Sequence, residues 1–247
     1  MNLSQAPSPL RYFYSMSAIL MLVLTLIGFH HFYLLGESYP GRPITPPIRG
    51  LVITHGIAMT AWCILMIIQP MLIATRSYAV HKALGRTGAA LAAILVVLGL
   101  MVATRSAAVT PPDFAYGALS PKQFMAVPYI GILMFGLYVA IGVWHRKQAN
   151  LHKPMMFLAT LAVLAAPLDR IDAVRNIFAN TIFYTIWGPF FSALLIGSIL
   201  FIVRYSLTKS FDRYFALGLA GLFLAFGVMM QIAITSAWDN FASALIR

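Results

Sequence analysis

The sequence predicts an all-α fold, a polytopic membrane helix bundle of seven transmembrane helices that makes residues 1–247 one integral membrane domain. Three observations predict it. Only 9% of the 247 residues are charged, 61% are hydrophobic and the mean hydropathy is +0.85, whereas a soluble domain carries roughly 25% charged residues. The apolar residues gather into seven runs, most of them near the ~20 residues that cross a ~30 Å hydrocarbon core at ~1.5 Å per residue. In lipid, helices satisfy their own backbone polar groups, which favours helices over open strands.

The first run, Tyr14–Leu35, lacks a strongly basic start and a small-x-small cleavage site, so it reads as a retained helix and not as a signal peptide. Leu51–Ala74, Thr87–Thr104 and Phe124–Trp144 follow. The fifth run, Pro154–Leu168, has only 15 residues, or about 22 Å of helix, short of a ~30 Å core. Thr181–Val203 and Tyr214–Ser236 complete the set. The longest connections, Gly36–Gly50 and Arg105–Gln123, are rich in Pro, Gly and Ser. No stretch reads as a soluble domain, so any chemistry belongs inside the bilayer or at its faces.

Charge sets an expected orientation. Seven spans place the N-terminus and the loops after the second, fourth and sixth helices on one side. That side holds ten Lys and Arg: Arg11, Arg76, Lys82, Arg86, Arg146, Lys147, Lys153, Arg204, Lys209 and Arg213. The other side holds seven: Arg42, Arg49, Arg105, Lys122, Arg170, Arg175 and Arg247. The positive-inside rule then puts the N-terminus in the cytoplasm and the C-terminus outside, in a bacterial inner (cytoplasmic) membrane. The net charge of +11 points to anionic lipid headgroups and not to nucleic acid. Cys63 is the only cysteine, so no intrachain disulfide forms, and mid-span it acts as a small apolar residue.

Two helix openings match. His81-Lys82-Ala83-Leu84 precedes the third run, and His152-Lys153-Pro154-Met155 leads into the fifth. At helical spacing, His81 shares a face with Gly85, Gly88, Ala92 and Gly99, a seam of small residues that lets another backbone approach. His152 shares a face with Ala159, Val163, Ala166 and Arg170, and Pro154 suits a first helical turn. Two readings stand open. Both histidines sit among headgroups at a boundary, or they ligate one b-type haem whose propionates pair with Lys82, Arg86 or Lys153. His145, at a helix exit, reads as interfacial.

A second polar cluster falls near the other leaflet. His30 and His31 lie about five residues before the end of the first run, and His55 lies about as far into the second, roughly 6–8 Å below the boundary. His55, Met59, Trp62, Met66 and Gln69 form one stripe, which should face the bundle interior. The short fifth run would draw Asp169, Arg170 and Asp172 to the hydrocarbon boundary, and Pro167 frees a carbonyl beside them. His30, His31, His55, Asp169 and Asp172 are candidate metal ligands, and Arg170 is a candidate anion or ligand contact. An internal network, in which the carboxylates neutralise Arg170 and the histidines only hydrogen-bond, is the competing reading. The pattern has no zinc-motif spacing, phosphate loop, nucleophile elbow or Cys-x-x-Cys. Trp144, Trp187 and Trp238, near span ends, read as interface belts.

The stretches Arg11-Tyr12-Phe13-Tyr14, Gly28-Phe29, His55-Gly56, Ala61-Trp62, His81-Lys82-Ala83-Leu84-Gly85-Arg86 and His152 through Thr160 to Arg170 resemble a group of uncharacterised bacterial multi-pass membrane proteins. The resemblance covers about residues 11–170 and implies a fold without an activity. More weakly, the pattern resembles the transmembrane ascorbate-reducible cytochrome b family, whose members bind two haems between histidines of a four-helix core. That resemblance implies His81 and His152 as one ligand pair and His55 as half of another. The chain departs from the family pattern at Phe124–Leu133, which contains no histidine. It therefore implies one haem unless His30 or His31 supplies the missing ligand, and fold analogy is a weak warrant for function.

The sequence thus leads to an integral membrane protein that binds haem b and takes part in transmembrane or quinone-linked electron transfer. It leans away from an enzyme; if one, it is a membrane oxidoreductase. The alternatives are a transporter or small-ligand- or metal-binding protein using the His/Asp/Arg cavity, or a structural subunit of a membrane complex. Expected partners are the bilayer, a redox partner or quinone, and further copies or subunits.

Overall fold

A computed structural model describes residues 12–39 and 42–246; Arg11 and Arg247, which enter the charge count, lie outside them. Thirteen helices and one small hairpin are assigned among the described residues. α1 (Phe13–Gly28) is the shorter apolar helix, with 16 residues. α2 (His30–Leu35) resumes after a break at Phe29, so together they reach about 34 Å at ~1.5 Å per residue. The strands β1 (Glu37–Tyr39) and β2 (Arg42–Pro43) pair antiparallel in the following connection.

Six helical stretches are long and apolar enough to cross a membrane. They begin with α3 (Arg49–Ala74) and α4 (Tyr78–Val109). α5 (Pro121–Phe124) runs almost directly into α6 (Ala126–Trp144), and its start carries a Ser120/Gln123 capping box. α7 (Ala149–Val163) and α8 (Ala165–Leu168) make the next crossing. Pro167 has no N–H to offer the carbonyl of Val163, which accounts for the interruption at Leu164. After α9 (Asp172–Phe178) and α10 (Ile182–Trp187), Gly188 turns the chain with φ +54° into Pro189 and α11 (Phe190–Thr208). α12 (Arg213–Ala233) is the last crossing, followed by α13 (Ser236–Leu245).

Three sequence expectations need correction. The sixth run, Thr181–Val203, does not cross as one helix, because the chain turns at Gly188 and the crossing is Phe190–Thr208. The fifth span is not short: Ala149–Leu168 has 20 residues, about 30 Å of helix. Its helix starts five residues before the apolar run because α7 is the central helix and need not face lipid. Its span is 67% buried by protein and has a mean hydropathy of 1.4, the lowest of the six. Trp238 is no interface-belt residue either. It is buried, and its Nε1–H donates to Lys122 O at 2.8 Å, pinning the amphipathic α13 against α5. Of the other two, Trp144 is 81% exposed, while Trp187 Nε1–H donates to Phe223 O at 2.9 Å.

The antiparallel alternation places connections 75–77, 145–148 and 209–212 on one face, called here the basic face. Side-chain bonds hold the crossings in register. Trp62 Nε1–H donates to Thr160 Oγ1 at 3.1 Å, tying α3 to α7, and Tyr138 donates to Gly218 O at 2.6 Å, tying α6 to α12. One core runs through the bundle around Trp62, Phe135, Phe157, Leu158, Phe190 and Phe215.

Candidate functional site

Two polar sites occupy opposite ends of the bundle. At the basic face, His81 is the fourth residue of α4 and His152 the fourth of α7, so the matched sequence openings become matched helix positions. Their rings come together with centroids 6.4 Å apart and planes at 87°. His81 Nδ1 lies 3.2 Å from Gln69 O in the late turns of α3, and His152 Nδ1 lies 2.8 Å from Gly142 O in the last turn of α6. A carbonyl only accepts, so each Nδ1 donates, and in the neutral ring Nε2 then carries the lone pair. That tautomer and backbone anchoring is the arrangement that orients histidine for a metal. Gly142 O also belongs to a helix C-terminus, where carbonyls lack intrahelical partners.

Lys82 and Lys153, next in sequence to the two histidines, and Arg86, farther along α4, are exposed. Gln69 lies against the pair: both amide atoms of its side chain are buried without a hydrogen-bond partner. Gly85 faces that amide without crowding it, since a β-carbon there would lie 3.8 Å from Gln69 Nε2, an ordinary contact distance. His145 does not join the pair. Its Nδ1 lies 3.0 Å from Ile141 O at the end of its own helix.

At the opposite face the bundle holds a partly open cavity of about 620 Å³. Its walls come from every crossing except α12, and the connections after α2 and α4 cover it. His55, Met59, Cys63, Thr160, Asp169 and Arg170 are on its surface. The cavity thus joins His55 to Asp169 and Arg170, three of the residues singled out from sequence, but not to the rest of that set.

The expected five-residue metal group does not form: among the described residues, no three His, Cys, Asp or Glu side chains gather to hold an ion. Local groups lie against His30, His31, Asp169 and Asp172 instead. His30 Nδ1 lies 2.7 Å from Ile27 O, and His31 Nδ1 lies 3.4 Å from Glu37 Oε2. Asp172 opens α9 and is held by Arg175 Nη2 at 2.7 Å. Arg170 donates to the carbonyls of Ala166 at 2.7 Å and Ser38 at 3.4 Å, with its guanidinium 4.7 Å above the Phe29 ring. Asp169 accepts from the Tyr184 hydroxyl at 3.4 Å. Burial raises the Asp169 carboxyl above its ordinary pKa, opposed by the charges of Arg170 and Arg175.

Some features escaped sequence reasoning. Arg204 and Asp212 form an ion pair at 2.8 Å with side chains only 18% and 7% exposed. Asp212 also caps α12 by accepting from the Tyr214 and Phe215 N–H groups. The Asp-x-x start of an apolar run was a legible cap signal; its pairing with Arg204, eight residues earlier in another helix, was not. The stripe Trp238, Phe241, Ala242 and Leu245 could have revealed α13. No family model matches the chain, and no curated protein or solved structure matches it significantly.

Proposed function

We propose that this chain is a membrane b-type cytochrome, with His81 and His152 as the two axial ligands of one haem near the basic face. The observation that carries this reading is the paired geometry of the rings. Two imidazoles bracketing an iron at ~2 Å per metal–nitrogen bond have ring centres roughly 6 Å apart, and these centres lie 6.4 Å apart. The residues also fit chemically. Each Nδ1–H is spent on a backbone carbonyl, leaving Nε2 as the ligating atom, and Gln69 supplies an unsatisfied amide beside them.

In this reading the backbone of α3 and α6 holds the ligand rings in orientation. Lys82, Arg86 and Lys153 would pair with the propionates. The bound haem supplies one-electron chemistry, suited to electron transfer across or along a membrane. The basic face is then cytoplasmic, in a bacterial inner membrane, by the positive-inside rule. Among the described residues no second histidine pair of this kind occurs at the opposite face, where His55 is the sole histidine on the cavity wall.

A visible spectrum of protein purified from haem-supplemented cells tests the proposal. It should show a Soret band and reducible α-bands, lost in His81→Ala and in His152→Ala and retained in His145→Ala. A folded wild-type protein without a Soret band, or one whose low-spin spectrum survives both substitutions, refutes it.

A further inference from the structure

We infer that the cavity at the opposite face binds a lipid-soluble quinone, a flat carbonyl-bearing ring with an apolar chain. The site would complement a haem at the basic face, but the binding itself does not depend on one. The volume of about 620 Å³ falls within the ~300–1,000 Å³ of small-molecule sites. Phe32, Phe124 and Phe190 stand on the wall among aliphatic side chains, flat apolar surfaces suited to a flat ring.

The polar groups select the head. Arg170 and Asp169 are already engaged, the first by two backbone carbonyls and Phe29, the second by Tyr184. An anionic headgroup would also face the Asp169 carboxylate on the same wall. Farther in, the polar wall is uncharged. Thr25 donates its hydroxyl to Met21 O, and Thr160 donates to Met156 O while accepting from Trp62. His55 differs: its Nδ1 is buried with no hydrogen-bond partner. The ring lines the cavity, and no protein contact fixes its tautomer. With Nδ1 unengaged, the ring is free to carry its proton on Nε2 and present that N–H to a carbonyl oxygen, the acceptor a neutral quinone carries. A second bis-histidine haem would need a second histidine, and among the described residues the wall offers none besides His55.

Trp62 reports on the site, because its indole bonds Thr160 just behind the wall. Titrating the full-length protein in detergent with a decyl-chain benzoquinone should quench tryptophan fluorescence saturably, at one quinone per chain. His55→Leu removes the donor, and Val102→Phe fills part of the cavity from α4 without adding a tryptophan. Each should weaken binding by about tenfold or more, the scale of one lost hydrogen bond to a buried partner. His55→Gln, which keeps an N–H donor, should bind close to wild type. His81→Ala should bind the quinone normally even where it removes a Soret band, so failure of the haem reading and failure of this one are separable. Equal quenching in wild type, His55→Leu and Val102→Phe overturns the assignment. So does equal competition by a saturated fatty acid of the same chain length, which would make the cavity an acyl site.

Discussion

Gly28 packs directly on the backbone of Pro167, so α1 meets the central crossing with no side chain between them. A β-carbon on Gly28 would lie 2.6 Å from the Pro167 carbonyl carbon and 2.7 Å from its Cα. Backbone atoms of a helical turn cannot step aside as a side chain can. Gly28→Ala should therefore lower stability by about 1–3 kcal/mol, the usual cost of overpacking. Gly50→Ala is the control, since nothing lies within 4 Å of its added β-carbon. Thermal unfolding in detergent compares them; equal midpoints would show that the Gly28 contact relaxes freely.

The small-residue seam of α4 is tight at Gly88 and loose at Gly85. A β-carbon on Gly88 would meet Leu65 Cδ2 at 2.5 Å, whereas Gly85 faces only Gln69 Nε2 at 3.8 Å. Gly88→Leu should disrupt the α3–α4 contact, and adding Leu65→Ala should recover part of the loss by freeing volume. Gly85→Ala should be tolerated. Unfolding midpoints of the four proteins decide it, and a destabilised Gly85→Ala with an unaffected Gly88→Leu would contradict the packing.

Asp212 joins two roles in one carboxylate. Removing it breaks the Arg204 pair and uncaps α12, so Asp212→Ala should cost about 3 kcal/mol or more. Asp212→Asn keeps the capping acceptor and loses the charge, so it should cost less. If detergent unfolding ranks Asn below Ala, the cap is not the shared contribution.

Asp169 gives stability a pH dependence of definite sign. Its carboxyl binds a proton more readily in the folded protein than at the ordinary value of 3.8. The unfolded chain therefore binds fewer protons at this group, and its contribution to stability falls as pH rises through the window above 3.8. Asp169→Asn should flatten that slope. Unfolding midpoints measured from pH 3.8 upward check it, and identical slopes for the two proteins would remove Asp169 as the cause.

Composition and run length by themselves determined the membrane-embedded, all-α character of this protein. Backbone hydrogen bonding leaves few alternatives for such apolar runs in lipid. The repeated His-Lys openings also marked two equivalent helix positions, because helix starts are set by local chemistry. Tertiary structure alone decided that α7 is central, which is why its polar ends made its apolar run look too short to span. It decided, too, that His81 and His152 face one another, that His30 and His31 leave the cavity to His55, and that Asp172 goes to Arg175. Those outcomes depend on which helices are neighbours and where Gly28, Phe29 and Leu164 bend or admit the chain. Periodicity along one helix carries no record of the partner packed against it.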